Sequence, residues 1–239
     1  MRVVDRIVTE PETCSYLRDR LASVEFRIVV EATEAQLERW LERGWRRFGV
    51  AYFRPACRGC AECVSLRIPV ASFVPSRAQR RAAERAAGFR LEVGAPQVDE
   101  ARLSLYRRWH ASRAANRGWS PDGMDEDRYA LEFAYPHAAA HEYVWYDGAR
   151  PIAVSLVDRT PNALSAVYTY HDPDYARHSL GTVSILTQIE EARLSGRAHV
   201  YLGYRVSGCA SSEYKARFRP HELLRGWPDL HEMPFWEPA

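Results

Sequence analysis

Cys57, Cys60 and Cys63 are spaced two residues apart in Arg-Pro-Ala-Cys-Arg-Gly-Cys-Ala-Glu-Cys. Thiolates at this spacing can converge on one metal, so ligand geometry constrains the loop that carries them more than backbone propensity does. Cys14 is the natural fourth ligand for a tetrahedral site. The spacing suits zinc or a cysteine-bound iron–sulfur cluster, and free thiols packed as small apolar groups are a third reading. Five cysteines, an odd number, without a secretory h-region at the N-terminus argue against a disulfide framework. No apolar run approaches the roughly 18 residues that span a bilayer. A cytoplasmic protein with no membrane partner is expected.

The cysteine loop sits in the most basic stretch of the chain. Between Arg43 and Arg90 there are eleven arginines and two acids, Glu62 and Glu84, a net charge of +9. The whole chain carries +2, so the remainder sums to −7. A charge block with Trp45, Phe48, Tyr52 and Phe53 interleaved suits phosphates and stacked bases, as in single-stranded RNA or a tRNA acceptor end. Arginine is also the better bidentate phosphate ligand. Thirty-two of the 33 basic residues are arginine, and Lys215 is the only lysine. A GC-rich genome accounts for that ratio but not for the clustering.

Pattern reading gives a first block to residue 88. A strand is expected over Glu25–Glu31, then a helix capped by Thr33 with Gln36 as its capping-box partner. Short apolar strands, Val50–Phe53 and Val64–Val70, bracket the cysteines. Ser76 and Gln79 form a second capping box for a helix from Arg77 to Ala87, which presents Arg77, Arg80 and Arg81. The second block, 89–239, reads as a strand (Phe89–Val93), two helices (Val98–Ser112, Asp125–Phe133) and three strands: Glu142–Tyr146, Pro151–Asp158 and Ala163–His171. Asp147-Gly148 and Pro161-Asn162 are turn signals, so these three should be antiparallel neighbours. A loop, a helix to Leu194, a buried strand (His199–Tyr204) and a short helix near Ser211–Phe218 complete the chain.

That order is the order of the acetyltransferase-like (GNAT) fold, so the expected class is α+β: a small cysteine-bearing domain (1–88) and a mixed-sheet domain (89–239). The loop Arg177-His-Ser-Leu-Gly-Thr then offers one arginine and the helix-N-terminal amides of Leu180, Gly181 and Thr182 to phosphate. Tyr168 and Tyr170 share a sheet face. Glu213, Tyr214 and Lys215 follow the buried strand at the sheet's C-terminal edge.

The chain resembles the bacterial aspartate/glutamate leucyltransferases, aminoacyl-tRNA–protein transferases related to eukaryotic arginyltransferases. The likeness covers nearly all of it. It rests on Cys14-Ser-Tyr-Leu, Tyr52-Phe-Arg-Pro-Ala-Cys-Arg-Gly-Cys-Ala-Glu-Cys, Leu66-Arg-Ile-Pro-Val, Phe73-Val-Pro-Ser-Arg-Ala-Gln-Arg-Arg, Ser179-Leu-Gly-Thr and Tyr214-Lys-Ala-Arg-Phe-Arg-Pro. It departs at Arg205-Val206 and at Ser211-Ser212-Glu213. The resemblance implies transfer of leucine from leucyl-tRNA to proteins beginning with Asp or Glu, which then enter N-end-rule degradation.

On that reading no CoA is expected. Arg77, Arg80, Arg81, Arg177 and the Leu180–Thr182 amides would hold tRNA phosphates. Arg54, Tyr168 and Tyr170 would meet the substrates, Arg54 pairing with the acceptor's acidic side chain. Tyr214, Lys215 and Glu213 would shape the reacting centre, with Glu213 a general base to test. An acetyl-CoA-dependent acetyltransferase and a catalytically altered tRNA-binding relative are the alternatives, and a leucyl-transfer assay separates them.

Overall fold

The computed structural model describes residues 1–117, 119, 120 and 122–239. The chain opens with β1 (Arg2–Val8), the two-residue strands β2 (Glu12–Thr13) and β3 (Leu21–Ala22), β4 (Val24–Val30), α1 (Glu34–Leu41), β5 (Arg46–Phe48) and β6 (Ala51–Pro55). Apart from the separate β2–β3 ladder, these strands form a four-stranded antiparallel sheet ordered β1-β4-β6-β5. The Thr33 hydroxyl accepts from the Gln36 amide while the Gln36 side chain accepts from the Thr33 amide. This capping box fixes the start of α1 and aims Leu37, Trp40 and Leu41 at the sheet core with Val29, Trp45 and Tyr52.

The next elements are β7 (Cys63–Pro69), α2 (Arg77–Ala86), β8 (Arg90–Gly94), α3 (Glu100–Arg117), α4 (Glu126–Glu132), β9 (Ala140–Asp147), β10 (Arg150–Arg159) and β11 (Ala163–His171). After these come α5 (Leu180–Leu194), β12 (His199–Val206), α6 (Ala210–Glu213), β13 (Glu222–Leu224) and β14 (Trp236–Pro238). They build an eight-stranded mixed sheet ordered β14-β13-β7-β12-β11-β10-β9-β8. The expected acetyltransferase-like order is present: β9, β10 and β11 are antiparallel neighbours, and β12 returns parallel to β11 through α5. Leu66, Ile68, Val200 and Leu202 pack with Leu180 and Ile189 of α5, and with Ala82 and Ala86 of α2. Tyr106, Trp109, Tyr129 and Phe133 of α3 and α4 pack with Val154 and Tyr170 on the opposite face.

The division expected at residue 88 does not separate the two sheets. β7 lies between β12 and β13 inside the larger sheet, and α2 packs beside α5. An apolar run with no local partner pairs wherever both its faces are covered, which no local pattern reveals. Among the described residues no helix is long and apolar enough to cross a membrane.

The two sheets are joined at the β5–β6 turn. Buried Arg47 makes two hydrogen bonds to the buried Asp158 carboxylate on β10, with Nε at 3.1 Å from Oδ2, and a third to the Gly49 carbonyl at 3.0 Å. Gly49 has φ +53°, and a Cβ added there would stand 2.0 Å from the Leu131 carbonyl oxygen on α4. Gly49→Ala therefore combines left-handed strain with a backbone clash. It is expected to cost at least about 2 kcal/mol in urea unfolding.

Candidate active site

β11 and β12 pair only at Ala163–His199, Leu164–Val200 and Ser165–Tyr201, and then diverge. Both strands carry an extra residue at that point. The β10–β11 register shifts past Val167, and the β12–β7 register shifts past Leu202. Bulges bend the strands that hold them, and two adjacent bends open a wedge. Ala166, Val167, Tyr168 and Thr169 are consequently part-exposed in the middle of a central strand.

Two cations occupy this splay. Arg46 reaches it from β5, donating from Nη1 to Ser165 Oγ at 2.9 Å and from Nη2 to the Ala166 carbonyl. Gly203 makes room for it, since a Cβ there would lie 3.3 Å from Arg46 Nε. From the other side, Lys215 Nζ donates to the Tyr204 carbonyl at 2.7 Å. Burial, reinforced by the Arg46 charge, pulls the Lys215 ammonium down to about 7. The Tyr204 hydroxyl lies 2.9 Å from the Gly44 carbonyl and 3.2 Å from the Phe53 carbonyl, two acceptors for its one proton, and so holds β12 to the smaller sheet.

Beside the splay lies a cleft of about 300 Å³ between α2 and α5, lined in part by Arg81, Arg85, Arg217, Ser179, Thr182 and Tyr214. Ser179 takes φ 55°, ψ 44° and gives α5 no side-chain cap. The Leu180 and Gly181 amides therefore have no acceptor within the helix. The Thr182 amide differs from expectation, because it returns to the Ser179 carbonyl at 2.8 Å. Arg85 Nε donates to the Arg177 carbonyl at 3.1 Å and His178 Nδ1 lies 3.0 Å from the Arg85 carbonyl, so α2 and the turn before α5 are tied together. Arg77, Arg80 and Arg81 are exposed along α2, with Arg80 Nη1 bonded to the Pro75 carbonyl at 2.6 Å. Tyr214 faces the cleft while its neighbour Lys215 bonds into the splay.

Two family models match, the arginine-tRNA-protein transferase N terminus over residues 12–81 and its C terminus over 101–225. The chain belongs to the arginine-tRNA–protein transferase family. A protein of Helicobacter hepaticus named aspartate/glutamate leucyltransferase is 33% identical over 238 residues, covering 99% of this chain and 98% of that one. A protein of the same name from Pseudomonas putida is 38% identical over 217 residues, covering 90% and 92%. The crystal structure of FemX is alike in fold, with TM-score 0.50 and 9% identity, covering 83% of this chain and 68% of that one.

In this transferase several residues singled out from the sequence sit elsewhere than expected. Arg54 is buried and spent: Nε bonds Glu25 Oε2 at 3.2 Å, Nη1 the Pro228 carbonyl at 3.2 Å and Nη2 Asp229 Oδ1 at 3.4 Å, over the Trp45 ring. It has no charge to spare for a substrate. Tyr170 is fully buried with its hydroxyl against that of Tyr129, so it belongs to the core. Tyr168 is part-exposed at the splay, packed on Trp109 and Phe133. The Glu213 carboxylate accepts the Gly208 amide at 3.0 Å, holding the turn before α6. Ser212 Oγ accepts the Val206 amide at 3.0 Å and fastens α6 to β12.

The cysteines gather in one region. Burial first, then the neighbouring Cys14, Cys57, Cys60 and Cys209, pushes the Cys63 thiol up to about 12. Arg20 Nη1 donates to Cys60 Sγ at 3.4 Å, and Cys57 Sγ faces the Ser23 carbonyl at 3.5 Å. Among the described residues no group of three or more Cys, His, Asp or Glu side chains is arranged to hold a metal ion. Arg46, Arg85 and Arg217 carried no distinguishing signal in the sequence. They are three arginines among thirty-two, separated from the rest only by where the chain buries or exposes them.

Proposed function

We propose that this transferase moves leucine from the 3′ end of leucyl-tRNA to proteins whose first residue is Asp or Glu, marking them for N-end-rule degradation. The names of its relatives support the substrates. One observation carries the chemistry: consecutive residues Tyr214 and Lys215 face a cationic cleft and an open strand splay. Arg81, Arg85, Arg217 and the Leu180 and Gly181 amides hold the terminal phosphates, with Arg77, Arg80 and Arg177 along the acceptor stem. The aminoacyl ester enters the splay, where backbone groups that no longer pair with each other meet its carbonyl.

The acceptor's α-amine attacks the ester carbon. Lys215 Nζ, neutral above about pH 7, takes the ammonium proton and then gives it to the departing 3′-oxygen of the terminal adenosine. A peptide bond forms, the ester bond breaks and the proton count balances. The enzyme aligns amine and ester, which is the larger part of the task for an already activated acyl group.

The test is incubation with leucyl-tRNA carrying labelled leucine and peptides beginning with Asp, Glu or Lys. Ribonuclease-sensitive label in the Asp and Glu peptides alone is the expected result. Acetyl-CoA turnover without leucine transfer would overturn the reading in favour of an acetyltransferase. Arg81→Ala and Arg217→Ala are each expected to weaken tRNA binding and to reduce the slope of log K against log salt by about 0.7, one phosphate contact apiece. Filter binding between 50 and 200 mM salt, the range over which such contacts lose about 10³–10⁵ in affinity when six to ten are present, reads that slope.

A further inference from the structure

Among the described residues Arg46 is a buried cation with no anion paired to it. It is 7% exposed, and its hydrogen bonds go to a hydroxyl and a carbonyl, neither of which carries charge. The acid that acts on it, Asp158, is committed to Arg47. The other basic group at the splay, Lys215, also bonds a neutral carbonyl and offers it no counter-charge. The other buried arginines on the same sheet are treated differently: Arg54 has Glu25 and Asp229, and Arg47 has Asp158. Burying an uncompensated guanidinium beside a lysine is costly, and such an arrangement is stable only where something supplies the opposite charge.

Resting on the transfer reading above, we infer that Arg46 is the residue that reads the acceptor's acidic side chain, receiving the Asp or Glu carboxylate in the splay. The guanidinium has five N–H donors and uses two, leaving Nε–H and one N–H on each Nη, coplanar donors suited to a carboxylate. The site is also in the right place. The acceptor's carboxylate and α-amine are a few bonds apart, and Arg46 and Lys215 bond the two diverging strands, at Ser165–Ala166 of β11 and at Tyr204 of β12. Ala166–Thr169 are part-exposed where the strands diverge, and Gly203, lacking a Cβ, lets the guanidinium lie against β12. The exposed arginines of the α2–α5 cleft suit mobile, multiply charged phosphates, whereas a single buried fork suits one carboxylate. A neutral Asn or Gln at the acceptor position would leave Arg46 unpaired, so discrimination comes from the cost of that unpaired charge as much as from attraction.

The experiment measures kcat and KM for peptides beginning with Asp, Glu, Asn and Gln, alongside leucyl-tRNA binding, for wild type, Arg46→Gln and Arg46→Lys. Removing one partner of a buried charge pair should lower kcat/KM for the Asp and Glu peptides at least about 30-fold in Arg46→Gln, mainly through KM. The preference for Asp over Asn should collapse while the leucyl-tRNA Kd stays at the wild-type value. Arg46→Lys keeps the charge but loses the fork, so it should retain the preference with KM raised about tenfold. Should Arg46→Gln fail to fold by circular dichroism, the Arg46→Lys KM decides: an unchanged value overturns the assignment. A folded Arg46→Gln that still prefers Asp over Asn overturns it too. Equal weakening of tRNA binding would show that the guanidinium holds a phosphate instead. Wild-type protein that leaves Asp and Glu peptides unleucylated overturns the transfer reading itself, whatever the variants do.

Discussion

Lys215→Met is expected to lower leucyl transfer by about 10²–10⁴-fold, the usual contribution of a positioned acid–base group, while leaving tRNA binding intact. Wild-type kcat/KM should rise with pH through two ionisations. One belongs to Lys215 at about 7, the other to the acceptor amine near about 8. Lys215→Arg keeps a cation that can donate to the Tyr204 carbonyl, but arginine cannot surrender its proton at neutral pH. It should be as inactive as the Met variant, and its residual activity should follow the amine alone. A Lys215→Arg enzyme with wild-type rate and an unchanged pH profile would exclude the lysine as base.

The Lys215→Met variant should gain stability where it loses activity. The folded-state value of about 7 lies below the ordinary 10.5, so between those values the unfolded chain binds more protons than the folded one. Stability attributable to this group therefore rises with pH across that window, and below about pH 7 the full cost of burying the ammonium is present. Lys215→Met removes that cost. Its Tm should exceed that of wild type at pH 6, with the difference shrinking as pH rises toward 10. A variant that is more stable and inactive cannot owe its inactivity to misfolding.

The single lysine acquires a reason from this. Every other basic position in the chain is arginine, whatever compositional pressure brought that about. Phosphate contacts and ion pairs lose nothing by the exchange and often gain a second hydrogen bond. A proton acceptor is the one role arginine cannot fill, and the chain keeps its lysine at the splay, where the Tyr204 carbonyl and the Arg46 charge meet it.

What could be read from the sequence was what is encoded locally. Thr33–Gln36 and Ser76–Gln79 are capping boxes within four residues, and both form as expected. Asp147-Gly148 turns β9 into β10 with Gly148 at φ +59°. Beyond that reach the signals fade. β7 was legible as an apolar strand but not as the partner of β12 and β13, because its pairing spans 130 residues or more. β1 is exposed along its whole length, so no face of it is marked by burial. Arg46 and Arg54 look equivalent in the basic block. They differ because Glu25 from β4 and Asp229 near the C-terminus close on Arg54, while Arg46 projects across the interface into a gap that two bulges open. The cysteines carried the strongest sequence pattern, but it is Cys63 that the fold brings close to Cys14 and Cys209, residues far from it in the chain.

Arg47→Met is expected to destabilise the fold by about 3–5 kcal/mol, the cost of breaking a buried ion pair by removing one partner. Asp158 is 2% exposed, and Arg47 supplies both of its hydrogen-bonded nitrogens. Without Arg47 the buried carboxylate loses both of its hydrogen bonds, and it must either draw in water or take up a proton. Arg47→Met with Asp158→Leu should recover most of the loss, since apolar residues of similar volume often replace a buried pair at little cost. The double-variant cycle in urea separates the interaction from the packing of each side chain. Activity tells more than stability here. Arg47 and Arg46 are adjacent on β5, so one grips β10 while the other enters the β11–β12 splay. The ion pair therefore sets where the Arg46 guanidinium stands. The repaired double variant restores stability without the two directional hydrogen bonds that hold β5 in register. It should regain its unfolding midpoint while keeping a raised KM for Asp and Glu peptides and an unaltered leucyl-tRNA Kd. If KM recovers along with stability, Arg46 is positioned by the packing around β5 and not by the Arg47–Asp158 pair.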